Sequence, residues 1–328
     1  MPNITIKEVA IYHPENVVTN ESYIEHFKQK GRDITSFLEK MGKENRYILD
    51  NKEENSLTMA IEAAKNALVK SNLTGEDIDY IVYSSQVPEY TFPSNAMFIH
   101  RAIEANRHAI SLDTNANCAG MVVSVEQTCR YMMANPCINR ALVVGSDHLS
   151  LLANPEEEIT YATYGDAACA IILERTEEQT GFIDAVYTID TRNVDKIIFP
   201  EKGLKHFHQQ NPEQKYIHFE PFDASFGPEI MIEQIEQILE NNQLNISDIS
   251  SVCISQFALG DKLKLQEHFE MDEEKVIIVG NEYGYTGTSS PFIAFHESLK
   301  NEKIKRGDYV IFWTVGAGHQ FITMLFRY

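Results

Sequence analysis

Short apolar runs alternate along the chain with segments whose apolar positions recur every three or four residues. The runs fall at residues 78–84, 110–113, 140–145, 167–173, 252–255, 276–279 and 309–313. Several are apolar almost throughout, the pattern of strands covered on both faces. Helical periodicity separates them, so the chain is read as α/β with a largely parallel sheet. The amino terminus reads as a strand that turns at His13-Pro14. Residues 181–190 read as another strand and residues 320–326 as the last one. The rest of 174–221 is polar and reads as surface loops.

A repeat is visible within this pattern. Residues 60–73 (AIEAAKNALVKSNL) align without gaps on residues 231–244 (MIEQIEQILENNQL), pairing Ile61 with Ile232, Glu62 with Glu233, Leu68 with Leu239 and Leu73 with Leu244. A strand follows each copy, at 77–84 and at 248–255. Halves packed about a pseudo-twofold axis would bring equivalent strand ends together. Parallel sheets bind ligands at the carboxyl ends of their strands. The turn at 115–120 and the loop at 281–290 are therefore the expected places for chemistry.

Composition narrows the class. The 328 residues are 43% hydrophobic and 23% charged, ordinary values for a folded chain with ample material for a core. Lys plus Arg number 28 and Asp plus Glu 48, a formal charge of −20. That field repels phosphate backbones and anionic membranes, so neither nucleic acid nor membrane is an expected partner. The cysteines are five, Cys118, Cys129, Cys137, Cys169 and Cys253, with no CxxC pair. Neither a disulfide framework nor a metal site is indicated. The amino terminus lacks the basic region and long apolar run of a signal peptide, so a cytoplasmic setting is expected.

One cysteine stands apart. In residues 111–125 (SLDTNANCAGMVVSV) a strand ends, small and polar residues turn the chain, and a helix begins at or beside Cys118. A helix amino terminus favours thiolate over thiol, which predicts a lowered pKa and a nucleophile. The other four cysteines lie within or at the ends of strands and helices, as small buried residues do. The loop Val315-Gly316-Ala317-Gly318 permits close backbone approach. Its N–H groups, with that of Cys118, would form an oxyanion hole; the plainer reading is a tight bend before the last strand.

These residues together resemble the β-ketoacyl-acyl-carrier-protein synthase III family of the thiolase superfamily. The landmarks are Phe92-Pro93-Ser94, Asp113 with Asn117-Cys118-Ala119-Gly120, Ala141 through Asp147, Tyr164 through Ala168, Gly284 with Thr286 and Ser290, Gly316-Ala317-Gly318 and the closing Phe326-Arg327-Tyr328. The resemblance implies a duplicated thiolase-like αβαβα sandwich with mixed, largely parallel sheets. It implies an N-terminal half, residues 1–174, carrying Cys118, and a C-terminal half, residues 175–328, carrying the remaining loops. It further implies a homodimer or a heterodimer with a paralogue, Phe92 near the dimer interface and the acyl pocket, Cys118 as the acylated nucleophile, and Cys118 and Ala317 at the oxyanion hole. The substrate would be an acyl-CoA or acyl-carrier-protein thioester, with no permanently bound cofactor.

Departures from the family pattern bear on the chemistry. The family's catalytic histidine falls on Ser255 (Ser255-Gln256-Phe257-Ala258) and its asparagine on Tyr285 (Gly284-Tyr285-Thr286). Serine is no base at neutral pH, so malonyl decarboxylation should be impaired; one lost electrostatic donor can cost about 3–4 kcal/mol of barrier. His319, next to the glycine loop, is the first candidate for a replacement base, followed by Glu89, Glu282 and Tyr285, with His148 read as structural. The family's adenine-stacking tryptophan falls near Ser36 and its arginine near Glu158, which would repel CoA phosphates. Lys28, Lys30 and Arg32, or Lys300, Lys303, Lys305 and Arg306, would greet an acidic carrier protein. The expected function is an acyltransferase that loads Cys118 from a thioester and passes the acyl group to an amine, an alcohol or an activated carbon acid, in specialised or lipid metabolism. The alternatives are a catalytically silent subunit of a heterodimeric synthase and a thioester hydrolase.

Overall fold

The computed structural model describes residues 3–209 and 215–328. Two five-stranded sheets carry the chain. The first is built from β1 (Asn3–Tyr12), β2 (Tyr80–Ser84), β3 (Ile110–Thr114), β4 (Arg140–Asp147) and β5 (Ala167–Thr176), in the order β1-β5-β4-β2-β3. The second is built from β6 (Gly181–Ile189), β7 (Ile249–Ile254), β8 (Val276–Ile277), β9 (Tyr309–Gly316) and β10 (Gln320–Arg327), in the order β6-β10-β9-β7-β8. The two orders are the same path traced twice. In each, the first and fifth strands pair antiparallel, the fifth and fourth antiparallel, and the other two pairs parallel. Four strands of each sheet thus run one way and one runs against them.

The repeated segments occupy equivalent positions as outer helices. These are α1 (Ser56–Ser71), on the first sheet, and α4 (Phe226–Asn241), on the second. The remaining helices used below are α2 (Asn95–Ala102), α3 (Gly120–Ala134), α5 (Leu259–Phe269) and α6 (Ser290–Lys300). Helices α3 and α6 lie between the sheets and touch both, giving five layers.

Strand alternation explains why the runs read as apolar throughout. In β5, Cys169, Ile171 and Leu173 face the central helices, while Ala168, Ala170 and Ile172 face α1. In β9, Val310 and Phe312 point to the centre, and Ile311 and Trp313 to α4 and α5. Both faces are covered, so neither can be polar.

The chain crosses from one sheet to the other between Thr176 and Gly181, so a boundary drawn at 174 falls inside β5. The polar stretch read as surface loops is more than that. Its residues Ile197, Phe199, Ile217, Phe219 and Pro221, with Phe222 just beyond it, form one wall of the cavity that Cys118 also lines. They fall in apolar runs too short to carry a period, such as Ile197-Ile198-Phe199, within a polar background. Among the described residues no helix is long and apolar enough to cross a membrane.

Candidate active site

The cysteine turn is shaped by close backbone approach. After β3, Asn115 accepts the Asn117 N–H on its side chain at 2.8 Å, and Asn117 takes a left-handed φ of 52°, a conformation asparagine tolerates. A 3₁₀ turn over Asn117–Ala119 then leads directly into α3. In the other half, the 3₁₀ turn Gly287–Ser289 leads into α6 in the same way. The two turns touch, as the repeat predicts. The Met121 N–H donates to Thr288 Oγ1 at 2.7 Å, and the Thr288 N–H donates to Asp147 Oδ2 at 2.9 Å.

The glycine loop is the tight hairpin between β9 and β10, and it also packs on the cysteine turn. A Cβ at Gly316 would stand 2.4 Å from the Ala116 carbonyl oxygen. Asn117 Nδ2 donates to the Ala317 carbonyl at 3.1 Å, and Thr314 Oγ1 to the Cys118 carbonyl at 3.3 Å. N–H groups at the start of a helix have no acceptor within it. The backbones of Cys118 and Ala317 are thereby held side by side at the cavity wall.

The polar neighbours of the Cys118 sulfur are Gln86 and Tyr285. Both side-chain atoms of the Gln86 amide stand 3.5 Å from Sγ. Asp147 fixes the amide by accepting from Gln86 Nε2 at 3.0 Å, and it also accepts from the Gln86 N–H at 2.8 Å and Ser85 Oγ at 3.0 Å. With Nε2 committed to Asp147, Oε1 is free to accept the thiol proton. The Tyr285 hydroxyl contacts both Cys118 and Ser255. The Tyr285 backbone is pinned by its N–H to Thr163 O at 2.8 Å and its carbonyl from the Gly165 N–H at 3.0 Å.

The thiol is not activated as the helix end alone predicts. Burial pushes the Cys118 pKa up to about 11, and the nearby Asp147 carboxylate adds to the rise; the Tyr285 and Gln86 contacts oppose it but do not win. Cys118 packs against a cluster that includes Tyr164, Tyr285, Leu149 and Phe257, and a thiolate there would lose part of its hydration. The resting residue is a thiol. Burial also drives Tyr285 well above its ordinary value.

One cavity of about 430 Å³ unites Cys118, Ser255, Tyr285, Ala317 and His319. Ser255 is buried at the end of β7, its N–H donating to the Trp313 carbonyl at 2.9 Å. His319 sits among Phe222 and Phe226, with ring centroids 5.0 and 5.2 Å away. Burial lowers its pKa, and its Nδ1 has no protein partner. Glu89 and Glu282 are exposed and outside the cavity wall. His148 Nε2 lies 3.9 Å from Asp166 instead. Phe92 is 85% exposed and does not line the cavity of its own chain.

The charged clusters are less free than the sequence implies. Arg32 binds Glu158 at 2.8 Å and Lys30 binds Glu156, so the Glu158 carboxylate is neutralised where repulsion of CoA was expected. Lys300 pairs with Glu297 at 3.4 Å, and Arg306 donates to the Ile6 and Lys7 carbonyls. Sequence reasoning missed Gln86 as a neighbour of the sulfur and treated Asp147 only as a landmark. Both lie at or just beyond the carboxyl ends of parallel strands, the signal that could have found them.

Comparison with known proteins bears on this site. Residues 112–191 match the family model described as 3-oxoacyl-[acyl-carrier-protein (ACP)] synthase III, and residues 239–328 match the model of that family's C terminal. A β-ketoacyl-[acyl-carrier-protein] synthase III of Clostridium perfringens is 29% identical over 321 residues, covering 97% of each chain. A crystal structure of 3-oxoacyl-[acyl-carrier-protein] synthase III from Aquifex aeolicus superposes with a TM-score of 0.85 at 25% identity, covering 99% of this chain and all of the other. A cysteine-to-serine variant of OleA from Xanthomonas campestris, solved with bound lauric acid and lauroyl-CoA, shares the fold at TM-score 0.84 and 17% identity, covering 99% of each chain.

Proposed function

Because the chain belongs to the 3-oxoacyl-[acyl-carrier-protein] synthase III family, we propose that it is a condensing-type enzyme acting on acyl thioesters, with Cys118 as the acyl carrier. The family is named for condensing synthases, which is a narrower reaction type than plain acyl transfer. The observation that supports the reading most is the cavity that reaches the Cys118 sulfur and continues past an apolar wall. No permanently bound cofactor is required; the thioester is the reactant.

The thiol of Cys118 adds to the thioester carbonyl. The new S–C bond forms, the donor's C–S bond breaks, and the thiol proton leaves with the departing CoA or carrier thiol. The N–H groups of Cys118 and Ala317 would receive the developing oxyanion. Tyr285 donates toward the sulfur and so steadies it as it becomes anionic. The acyl group then passes to an acceptor, the ping-pong pattern. His319, held neutral by burial, would take the acceptor's proton.

The sulfur is flanked by a hydroxyl from Tyr285 and an amide from Gln86, not by an imidazole. Malonyl decarboxylation therefore lacks its usual support, and an acceptor that arrives already activated is favoured. Phe92, exposed as Tyr90 and Met97 also are, would meet a second subunit. Incubation with short, long and aromatic acyl thioesters should give an acyl mass adduct on Cys118 that is absent in Cys118→Ala. No adduct from any donor would overturn the proposal and leave the silent-subunit reading.

A further inference from the structure

The loops that carry Ser255 and Tyr285 are held from a third segment, Lys43 to Tyr47. Lys43 is 3% exposed and does not line the cavity. Its ammonium donates to the Gln256 carbonyl at 2.6 Å, and among the described residues no carboxylate pairs with it. Gly280 leaves the room for this bond. A Cβ there would stand 2.9 Å from Lys43 Nζ and 3.0 Å from the Gln256 carbonyl oxygen. Burial, with the like charge of Arg46, brings the lysine down to about 7. A buried cation without a counter-charge costs free energy. A methionine of similar length would fill the place without that cost.

Gln256 is the point where the two loops are tied together. Its Oε1 accepts the Val279 and Gly280 N–H groups at 2.8 and 2.9 Å, and its Nε2 donates to the Ile254 and Ile277 carbonyls at 2.8 and 3.0 Å. The residues on either side of it both reach Tyr285. The Ser255 hydroxyl contacts the phenol, and the Phe257 ring packs on it at 5.2 Å. The second loop is held from the same segment as Lys43. The Glu44 N–H donates to the Asn281 carbonyl at 3.1 Å, and a Cβ at Gly284 would stand 2.7 Å from Arg46 Cγ. We propose that Lys43 is a positioning residue: by fixing the Gln256 carbonyl it fixes Ser255 and Phe257, and through them the Tyr285 hydroxyl that faces the Cys118 sulfur. The inference rests on the reading of Cys118 as the acyl carrier, and it deepens that reading by naming what sets the sulfur's hydrogen-bond partner.

A double-mutant cycle separates positioning from general support. Iodoacetamide alkylation of Cys118 is followed at pH 8.5 in the unaltered protein, Lys43→Met, Tyr285→Phe and the double variant, with the exposed Cys137 as the internal standard. Circular dichroism checks the fold of each. Lys43→Met should slow Cys118 at least threefold relative to Cys137, because Tyr285 no longer meets the sulfur squarely. Added to Tyr285→Phe, it should slow Cys118 no further. General loosening would instead expose the sulfur and speed labelling in both backgrounds. Gly280→Ala is the second perturbation, since its methyl group enters between Lys43 Nζ and the Gln256 carbonyl while the lysine stays; it should give the same pattern if Lys43→Met fails to fold. A folded variant that leaves the rate unchanged or raises it, or that slows Cys118 equally with and without the Tyr285 hydroxyl, overturns the inference. Acyl loading of Cys118 without this coupling would sink the role of Lys43 alone. Coupling without acyl loading would sink the proposed reaction alone.

Discussion

The raised thiol pKa of Cys118 is open to direct test through Tyr285→Phe. An ordinary thiol value of 9.0 is raised to about 11 at Cys118, so the thiolate is about 100-fold rarer at neutral pH than in a free thiol. Tyr285 is one of the groups opposing that rise. A hydrogen bond to a charged group is worth about 1.5–3 kcal/mol, which at about 1.36 kcal/mol per unit is about one to two pKa units. Phenylalanine keeps the ring that packs on Phe257 at 5.2 Å and removes only the hydroxyl. The assay is iodoacetamide alkylation followed peptide by peptide in the mass spectrometer from pH 7 to 11, with the exposed Cys137 labelled in the same sample. Cys118 should label later than Cys137 at neutral pH, and its rate should climb about tenfold per pH unit. Tyr285→Phe should slow Cys118 a further 10- to 100-fold at any fixed pH in that range. A titration midpoint at or below pH 8, or a variant that labels as fast as the unaltered protein, would refute the reasoning.

Three further outcomes follow from the same geometry. Asp147→Asn keeps one acceptor oxygen, so its amide hydrogens face either the Ser85 hydroxyl and Gln86 N–H on one side or the Gln86 Nε2 and Thr288 N–H on the other; unsatisfied buried groups cost about 1–3 kcal/mol each, so urea denaturation should show a loss of several kcal/mol. Gly316→Val pushes a side chain into the Ala116 carbonyl, and acyl loading of Cys118 should fall at least tenfold while the protein remains folded by circular dichroism. The Glu297 carboxylate is held down to about 2 by His296 at 2.9 Å, with Lys300 and the Tyr283 hydroxyl assisting. A depressed carboxyl pKa contributes stability above the unfolded value and loses it as pH falls through the folded one. Melting curves between pH 5 and 2 should therefore show a shallower decline in Glu297→Gln, and an unchanged slope would discount the contact.

Much of the architecture was legible because hydrophobic period is a local property. Residues 60–73 and 231–244 read as one helix written twice, and they became α1 and α4 on equivalent strands. That correspondence predicted the meeting of the turns at Cys118 and Thr288, which the Met121 N–H now joins. Boundaries were less legible: β8 is only Val276–Ile277, and the rest of that run leaves the sheet. The wall of Ile197, Phe199, Ile217, Phe219 and Phe222 was missed because apolar runs of two or three residues carry no period.

The chain alone determined that a cysteine stands where a strand turns into a central helix, with glycines allowing the backbone of β9 to approach, and that serine and tyrosine occupy two loops facing it. These follow from residue type and spacing. Only the tertiary structure decided the state of that sulfur. Helix-end chemistry argues for a thiolate, yet Tyr164, Phe257 and Leu149 from distant segments replace part of the water around it with apolar and aromatic groups, and Asp147 adds a like charge. The free energy of an ion depends on everything within several ångströms of it, and that neighbourhood is assembled from parts of the chain that no local pattern connects.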